Sequence, residues 1–384
     1  MTIPAASPAR SVARSLVHAI LALALTGSAA AAQRGARASI VRHPPARVVD
    51  CAAPCTDSVT VKYLGSGGIL LRHGRDAILT GPLFSNPGFV EVSGAVPLRA
   101  RPDVIDRRMA AIFPDRQGIA AILVGHSHYD HLMDVPYIAE KYVPAVPIYG
   151  NATMLNLLAS WPQRARLRSV EDAAGDSARE GRWIYPKADG PHATHTRADS
   201  TVRFMALRAR HPAHYLLPPR TRGWSLPVHV YSREQRVPAT EYPATAWDWA
   251  EGASFAFVID FLDERGTVLF RTHYADTPAW GANGMPPRSL GRFDLAALCV
   301  GGSNTVAGED SIPTAMLRRI APRYAFLIHW EDFFIPQTAN PRPLGVLKKD
   351  IGPYQQRVAA FLPPDHWSLP APGDVARFAV HPRR

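Results

Sequence analysis

The chain has 384 residues, 47% of them hydrophobic and 20% charged, with a formal net charge of +11. That is the composition of a globular protein able to bury a sizeable core. No run of 18 or more apolar residues occurs, which argues against a membrane-spanning helix on length.

The positive charge is carried by scattered arginines rather than by runs. It reads first as a solvated basic surface and second as attraction to anionic groups such as phosphates or lipid head groups. At the N-terminus, Arg10 and Arg14 precede a short apolar run, Leu16 to Thr26, and a small-residue segment, Gly27 to Ala32. This order predicts a secretory signal peptide over residues 1–32, with a retained anchor helix as the alternative. Export to the periplasm or the medium follows, and nucleic acid is then not an expected partner. Residues 33–57, rich in Arg, Ala and Pro, read as a linker. Cys51 and Cys55 suit a small disulfide loop in an oxidising compartment better than a metal site, since no second Cys or His pair lies near them. Cys299 reads as a buried core residue.

From Ser58 the pattern becomes β-rich. SVTVKYLG alternates, and GGILLRHG and DAILTGP follow with glycine punctuation, predicting antiparallel strands. A helix is expected over 101–111. Ile119 to Val124 is almost wholly apolar and bounded by Gly118 and Gly125, as in a buried strand. Helices are expected at 135–141 and 153–161, with a short strand, VPIYG, between them. Residues 172–200 read as a surface loop or hairpin, and TVRFMALRA as a strand ending near His211. Residues 215–252, full of Pro, Trp, Tyr and Arg, read as an inserted segment: a hydrophobic lid carrying Trp224, Trp247 and Trp249, or a structural cap. SFAFVIDF and TVLFRTHY suggest a hairpin, LAALCVGG a buried strand, 312–320 a helix and 324–329 a last strand. Residues 336–384 read as a Pro-rich extension packed on the domain, with one helix over 354–361.

Immediately after the apolar strand at 119–124, His126, His128, Asp130 and His131 fall within six residues. On an extended loop, residues i and i+2 point the same way, so His126 and His128 can grip one ion together. Asp130 and His131, at the turn into a helix, can face a second. Imidazole and carboxylate suit zinc, and also iron or manganese.

The stretch His126-Ser127-His128-Tyr129-Asp130-His131 resembles the signature of the metallo-β-lactamase superfamily. It is similar in flavour to the branch containing N-acyl phosphatidylethanolamine phospholipase D and ascorbate-6-phosphate lactonase. The resemblance runs from about Val59 to Phe334 and implies one domain over 58–335. It implies an α/β fold, a four-layer αββα sandwich with metals at one edge between two sheets. It also implies the remaining ligands. His211 would complete a first site with His126 and His128, with His214 as its rival. Asp276, in Tyr274-Ala275-Asp276-Thr277, would bridge, with His273 close by as a competitor. His329 would complete a second site with Asp130 and His131. Two departures stand out: Gly81 replaces the aspartate of the family's Thr-Asp-Pro, for which Ser66 or Thr80 are the candidate substitutes, and Ala275 replaces a glycine.

The implied function is an exported hydrolase with two divalent cations, zinc first. A metal-bridging hydroxide would attack an ester, lactone or phosphodiester. Asp130 and His131 stand at the chemistry, with Asp130 orienting the hydroxide or shuttling a proton. No Gly-x-Ser-x-Gly elbow and no phosphate-cradling loop is present. Tyr129, His214, Tyr215, Arg222 and Trp224 are either substrate contacts or loop packing. The expected substrate is a small or lipid-like molecule, anionic in part, met in solution or at a membrane surface. The alternatives are a di-iron redox protein on the same fold and a non-catalytic binding protein that keeps its metals.

Overall fold

Strand β1 (Ser58–Gly65) shows how the first sheet is specified: Val59, Val61 and Tyr63 are buried while Thr60 and Lys62 between them are half-buried. The period of two gives the strand one face for the core. Antiparallel partners follow at once in β2 (Gly68–His73) and β3 (Asp76–Thr80). The computed structural model describes residues 57–380 apart from 93–95, 115–117, 190–195, 213–231, 279–282, 301–312 and 336–350. The expected signal peptide, Cys51 and Cys55 lie outside the described residues.

After β3 the connections become parallel. β4 (Ile119–Leu123), β5 (Ile148–Gly150) and β6 (Leu167–Ser169) join in turn, each reached through helices. β4 is buried along its whole length, as a parallel strand covered on both faces must be. The second sheet repeats the plan. β7 (Val202–Ala209), β8 (Ser254–Leu262) and β9 (Val268–Ala275) are antiparallel, and β10 (Leu295–Cys299), β11 (Tyr324–Ile328) and β12 (Trp367–Ser368) add in parallel. With β13 (Val375–Ala379) at the edge of the first sheet, the orders are β13-β1-β2-β3-β4-β5-β6 and β12-β11-β10-β9-β8-β7.

Three cores separate four layers. Val61, Tyr63, Ile78 and Leu123 from one sheet meet Phe204, Phe257, Ala297 and Phe326 from the other. The helices Pro102–Ile112, Val135–Tyr142 and Ala152–Leu157 cover the outer face of the first sheet through Ile105, Met109, Ile138 and Met154. Thr314–Ile320 and Gly352–Ala359 cover the second through Met316, Leu317, Tyr354 and Val358. The architecture is the expected αββα sandwich. Cys299 is buried, as read.

The structure departs from the sequence reading in places. The described residues of 172–200, read as a surface loop or hairpin, hold a short helix, Pro186–Asp189, and pair with β7 at two isolated bridges, Gly175 with Leu207 and Ile184 with Phe204. The helix read over 153–161 spans Ala152–Leu157. Trp249 is fully buried with Ala246 and Ala250 in the first outer core, so this end of the 215–252 segment packs as structure rather than lying over a substrate. The C-terminal segment supplies two strands besides its helix. One of them, β13 (Val375–Ala379), pairs antiparallel with β1, from Ser58 opposite Ala379 to Lys62 opposite Val375. Its Phe378 ring lies 4.9 Å from Tyr324 and 5.8 Å from Phe326, in the core between the sheets.

Removing that ring leaves a cavity where both sheets meet. Phe378→Ala is expected to lower stability by about 3–5 kcal/mol in denaturant unfolding; a change below about 1 kcal/mol would show that β13 is not part of the cooperative core.

Candidate metal centre

Four strand ends deliver the chemistry to one edge. His126 to His131 follow β4, His211 follows β7, Asp276 directly follows β9, and His329 directly follows β11. Because β7 and β9 both run antiparallel to β8, and β9, β10 and β11 are parallel, three of these ends share the same edge of the second sheet. The first sheet is tied to that edge by two backbone links. Phe255 N–H donates to Gly125 O at 2.8 Å, and Gly125 N–H donates to Asp276 Oδ2 at 3.0 Å. Carboxyl ends of parallel strands are where α/β proteins gather polar side chains without disturbing the core.

The ligand-type atoms of His126, His128 and His211 lie within 4.8 Å of one another, as do those of His126, Asp130 and His131. Asp276 Oδ1 is 3.1 Å from His126 Nδ1, and its Oδ2 is 3.7 Å from His131 Nδ1. His329 Nε2 is 3.3 Å from Asp130 Oδ2, and its ring centre is 5.2 Å from that of His131. All seven side chains thus meet. Six are buried and His211 is half-buried. Four buried imidazole nitrogens, His126 Nε2, His131 Nδ1 and Nε2, and His329 Nδ1, have no hydrogen-bond partner among the described residues. A buried nitrogen without a partner is costly, and converging lone pairs from histidines and carboxylates match what a divalent cation takes.

The protonation states also fit. Burial pushes the Asp130 carboxyl up, but the nearby His131, His329 and His128 outweigh it and hold the group well below its usual range. Asp276 is likewise penalised by burial and brought below the usual range by His131 and His126. Burial drives His131 down to about 4 against the pull of Asp130 and Asp276. His126 is the exception: burial lowers it, yet contact with Asp276 raises it overall. At neutral pH the two carboxylates are anionic and His131 is neutral, the forms that ligate cations.

Residues 95–330 match the family model described as a beta-lactamase superfamily domain. The chain belongs to the metallo-β-lactamase superfamily. Solved structures similar to it include a metallo hydrolase from the archaeon Ignicoccus hospitalis, at 12% identity and TM-score 0.42, covering 84% of this chain and 98% of that one. The metallo-β-lactamase fold protein YhfI from Bacillus subtilis is similar at 11% identity and TM-score 0.43, covering 84% and 100%. CmlA, a diiron β-hydroxylase from Streptomyces venezuelae, is similar at 11% identity and TM-score 0.45, covering 84% of this chain and 53% of that one. No curated protein matches.

In this superfamily member the metal loop is braced by residues that the sequence reading did not single out. Asp134 accepts hydrogen bonds from Phe84 N–H at 2.7 Å, Ser85 N–H at 2.8 Å and Ser85 Oγ at 2.6 Å, fixing the 83–86 loop under the motif. Asn151, the cap of the helix Ala152–Leu157, accepts from Ser127 Oγ at 2.6 Å and donates to the Glu251 and Ala253 carbonyls. The Glu251 carboxylate lies 3.9 Å from His211 Nδ1. Asn151 and Asp134, capping residue types just before expected helices, were the available signals; Glu251 is a lone acid with no pattern around it.

Gly81 leaves room for the His131 carbonyl, which a Cβ there would strike. Thr80 Oγ1 is engaged by Ile69 N–H at 2.8 Å, and Ser66 Oγ has no partner among the described residues, so neither stands in for the family's aspartate. His273 bonds the Gly284 carbonyl at 2.8 Å through Nε2 and packs on Phe293, leaving Asp276 at the centre. Tyr129 is buried in the outer core, the packing alternative of the two open for it. His214, Tyr215, Arg222 and Trp224 lie outside the described residues.

A Cβ at Gly125 would fall on both Asp276 carboxylate oxygens. Gly125→Ala should therefore keep the far-ultraviolet dichroism of the folded chain while metal affinity drops about 10- to 100-fold in a chelator competition; unchanged affinity would mean Asp276 does not contribute.

Burial also drives His273 down to about 4 from 6.5. The unfolded chain then binds the proton more tightly than the folded one. Stability from this group is complete above pH 6.5 and is lost as pH falls from there toward 4. In the metal-free protein, His273→Gln keeps a donor for Gly284 and should reduce the slope of unfolding free energy over that window by up to about 1.4 kcal/mol per pH unit. An unaltered slope would show that His273 titrates normally.

Proposed function

We propose that the chain is an exported metal-dependent hydrolase that binds two divalent cations, zinc first, and cleaves an ester, lactone or phosphodiester bond. The observation that carries this reading is the convergence of seven ligand-type side chains from four strand ends on unpartnered buried imidazole nitrogens. His126, His128 and His211 would hold one cation, Asp130, His131 and His329 the other, and Asp276, within 3.1 Å of His126 and 3.7 Å of His131, would reach both. Bound divalent cations supply Lewis acidity: they lower the pKa of water from about 15.7 to about 7 and offset negative charge that develops on a substrate oxygen.

The residues themselves divide the rest of the work. Asp130 is held anionic by its histidine neighbours, so its free lone pairs orient a water by accepting a hydrogen bond and are poorly suited to storing a proton. Phe333 lies 4.9 Å from the His329 ring and Phe334 4.3 Å from Phe333, giving the site an apolar flank for a lipid-like or other apolar group. The net charge of +11 favours an anionic substrate and contact with an anionic membrane surface. Together with Tyr129-Asp130-His131 these features support a place near the phospholipase D-like and lactonase-like branch. Export rests on Arg10, Arg14 and the run Leu16 to Thr26.

A second reading, an iron-dependent redox protein, draws support from Glu251, an extra carboxylate 3.9 Å from His211, since oxygen-rich sites suit iron. Metal analysis separates the two, iron with visible absorption favouring the second.

For the hydrolase reading, zinc-loaded protein is expected to turn over at least one member of a panel of phosphodiesters, lactones and esters, and Asp130→Ala to lower that rate at least about 100-fold. A fully loaded protein inactive on the whole panel, or activity indifferent to Asp130→Ala and to chelation, would sink it.

A further inference from the structure

His329 is a ligand-type residue held in a conformation that side chains seldom adopt, with φ of +57°. Left-handed backbone at a residue with a Cβ costs about 1 kcal/mol or more and persists only where the surroundings enforce it. The enforcing contact is on the opposite sheet. The His329 N–H donates to the hydroxyl oxygen of Tyr63, on β1, at 2.8 Å. The same oxygen lies 3.5 Å from the Gly67 N–H. With its oxygen facing two backbone donors, the Tyr63 hydroxyl sends its own hydrogen to Glu331 Oε2 at 2.5 Å, and Glu331 Oε1 accepts the Ser66 N–H. Tyr63 is fully buried and Glu331 is 1% exposed. Burial and the charge of Glu331 keep the phenol protonated, well above its usual range.

The turn held at the other end is part of the centre. Gly65, Ser66 and Gly67 all have positive φ, and the position of a Cβ on Gly67 is 3.5 Å from His131 Cε1, 3.6 Å from Asp276 Cβ and 3.6 Å from His329 Cδ2. One phenol and one carboxylate thus fix both His329 and the backbone that packs against it. A carboxylate is required because each of its oxygens takes one donor. An amide offers one oxygen for two donors and turns its NH2 on the second, leaving a buried donor unpaired.

We propose that Tyr63 and Glu331 are a positioning pair that sets the cation affinity of the Asp130–His131–His329 group and leaves that of His126–His128–His211 largely unchanged. The pair's hydrogen bonds run to His329, Gly67 and Ser66 and between its own two members. It fills, from β1 and the segment after β11, the bracing role left open where Gly81 replaces the family's aspartate.

The inference rests on the two-cation reading, and the test separates their failures. The full mature chain, stripped of metal, is titrated with zinc against a competing chelator while bound zinc per chain is counted, for wild type, Tyr63→Phe, Glu331→Gln and the double variant. Wild type is expected to bind two ions. In Tyr63→Phe and Glu331→Gln one of the two binding steps is expected to keep its wild-type affinity and the other to weaken about 10- to 100-fold, with the double variant well short of the product of the two losses. Denaturant midpoints of the metal-free proteins report any purely structural effect. Two ions bound with wild-type affinity by both single variants, or both steps weakened equally, would overturn the proposal. So would a lower metal-free midpoint with binding intact. If Glu331→Gln fails to fold, Tyr63→Phe, which keeps the ring, decides alone. A wild type that binds fewer than two ions overturns the two-cation reading itself and this proposal with it.

Discussion

The carboxylate of Asp276 is the point at which the two sheets become one site. It lies at the end of β9, yet its oxygens accept the Gly125 N–H and face His126 and His131 on the loop after β4. A carboxylate buried between sheets is stable only if donors surround it, and here the donors are the motif itself. The approach is close enough that Gly125 can carry no side chain. The sandwich fixes how far apart the two edges lie, and Asp276 fixes where they touch. Histidines that would otherwise sit on separate layers then share one small volume.

That arrangement also sets the charge balance. Asp130 and Asp276 are stabilised as anions by imidazoles, and His131 is driven neutral by burial. The sandwich hides apolar rows on both faces of each sheet, and the ligand-type side chains stand at the strand ends. The chemistry is therefore confined to one rim, braced from beneath by Asp134 and Asn151 and from across the gap by Tyr63 and Glu331.

Much of this was legible in the residues. The alternation in SVTVKYLG, the apolar block before Gly125 and the spacing of the motif placed strands and loop correctly, because period and burial are local properties of the chain. His211, Asp276 and His329 were found only through resemblance, since nothing local tells a ligand at a strand end from a stray polar residue. β6 and β12 were missed because LRS and WS are too short and mixed to stand out, and β13 because its alternating VARFA lies within a Pro-rich segment read as an extension. Trp249 looked like a lid because aromatic, Pro-rich sequence is equally apt for a cap or a core, and only packing decides. Glu331 gave no signal at all: a single acid after His-Trp is meaningless until Tyr63, 268 residues away, is brought against it.

The pairing of β13 with β1 places the last described strand beside the first. Until β13 is in place, the backbone donors and acceptors along one side of β1 lack that partner, and the inner face lacks Phe378. Non-local closure of this kind is slow, and an open strand border invites pairing with other chains. The same strand that carries Tyr63 toward the metal centre thus waits on a distant partner, so a chain cut short before β13 would fail in solubility before it failed in chemistry.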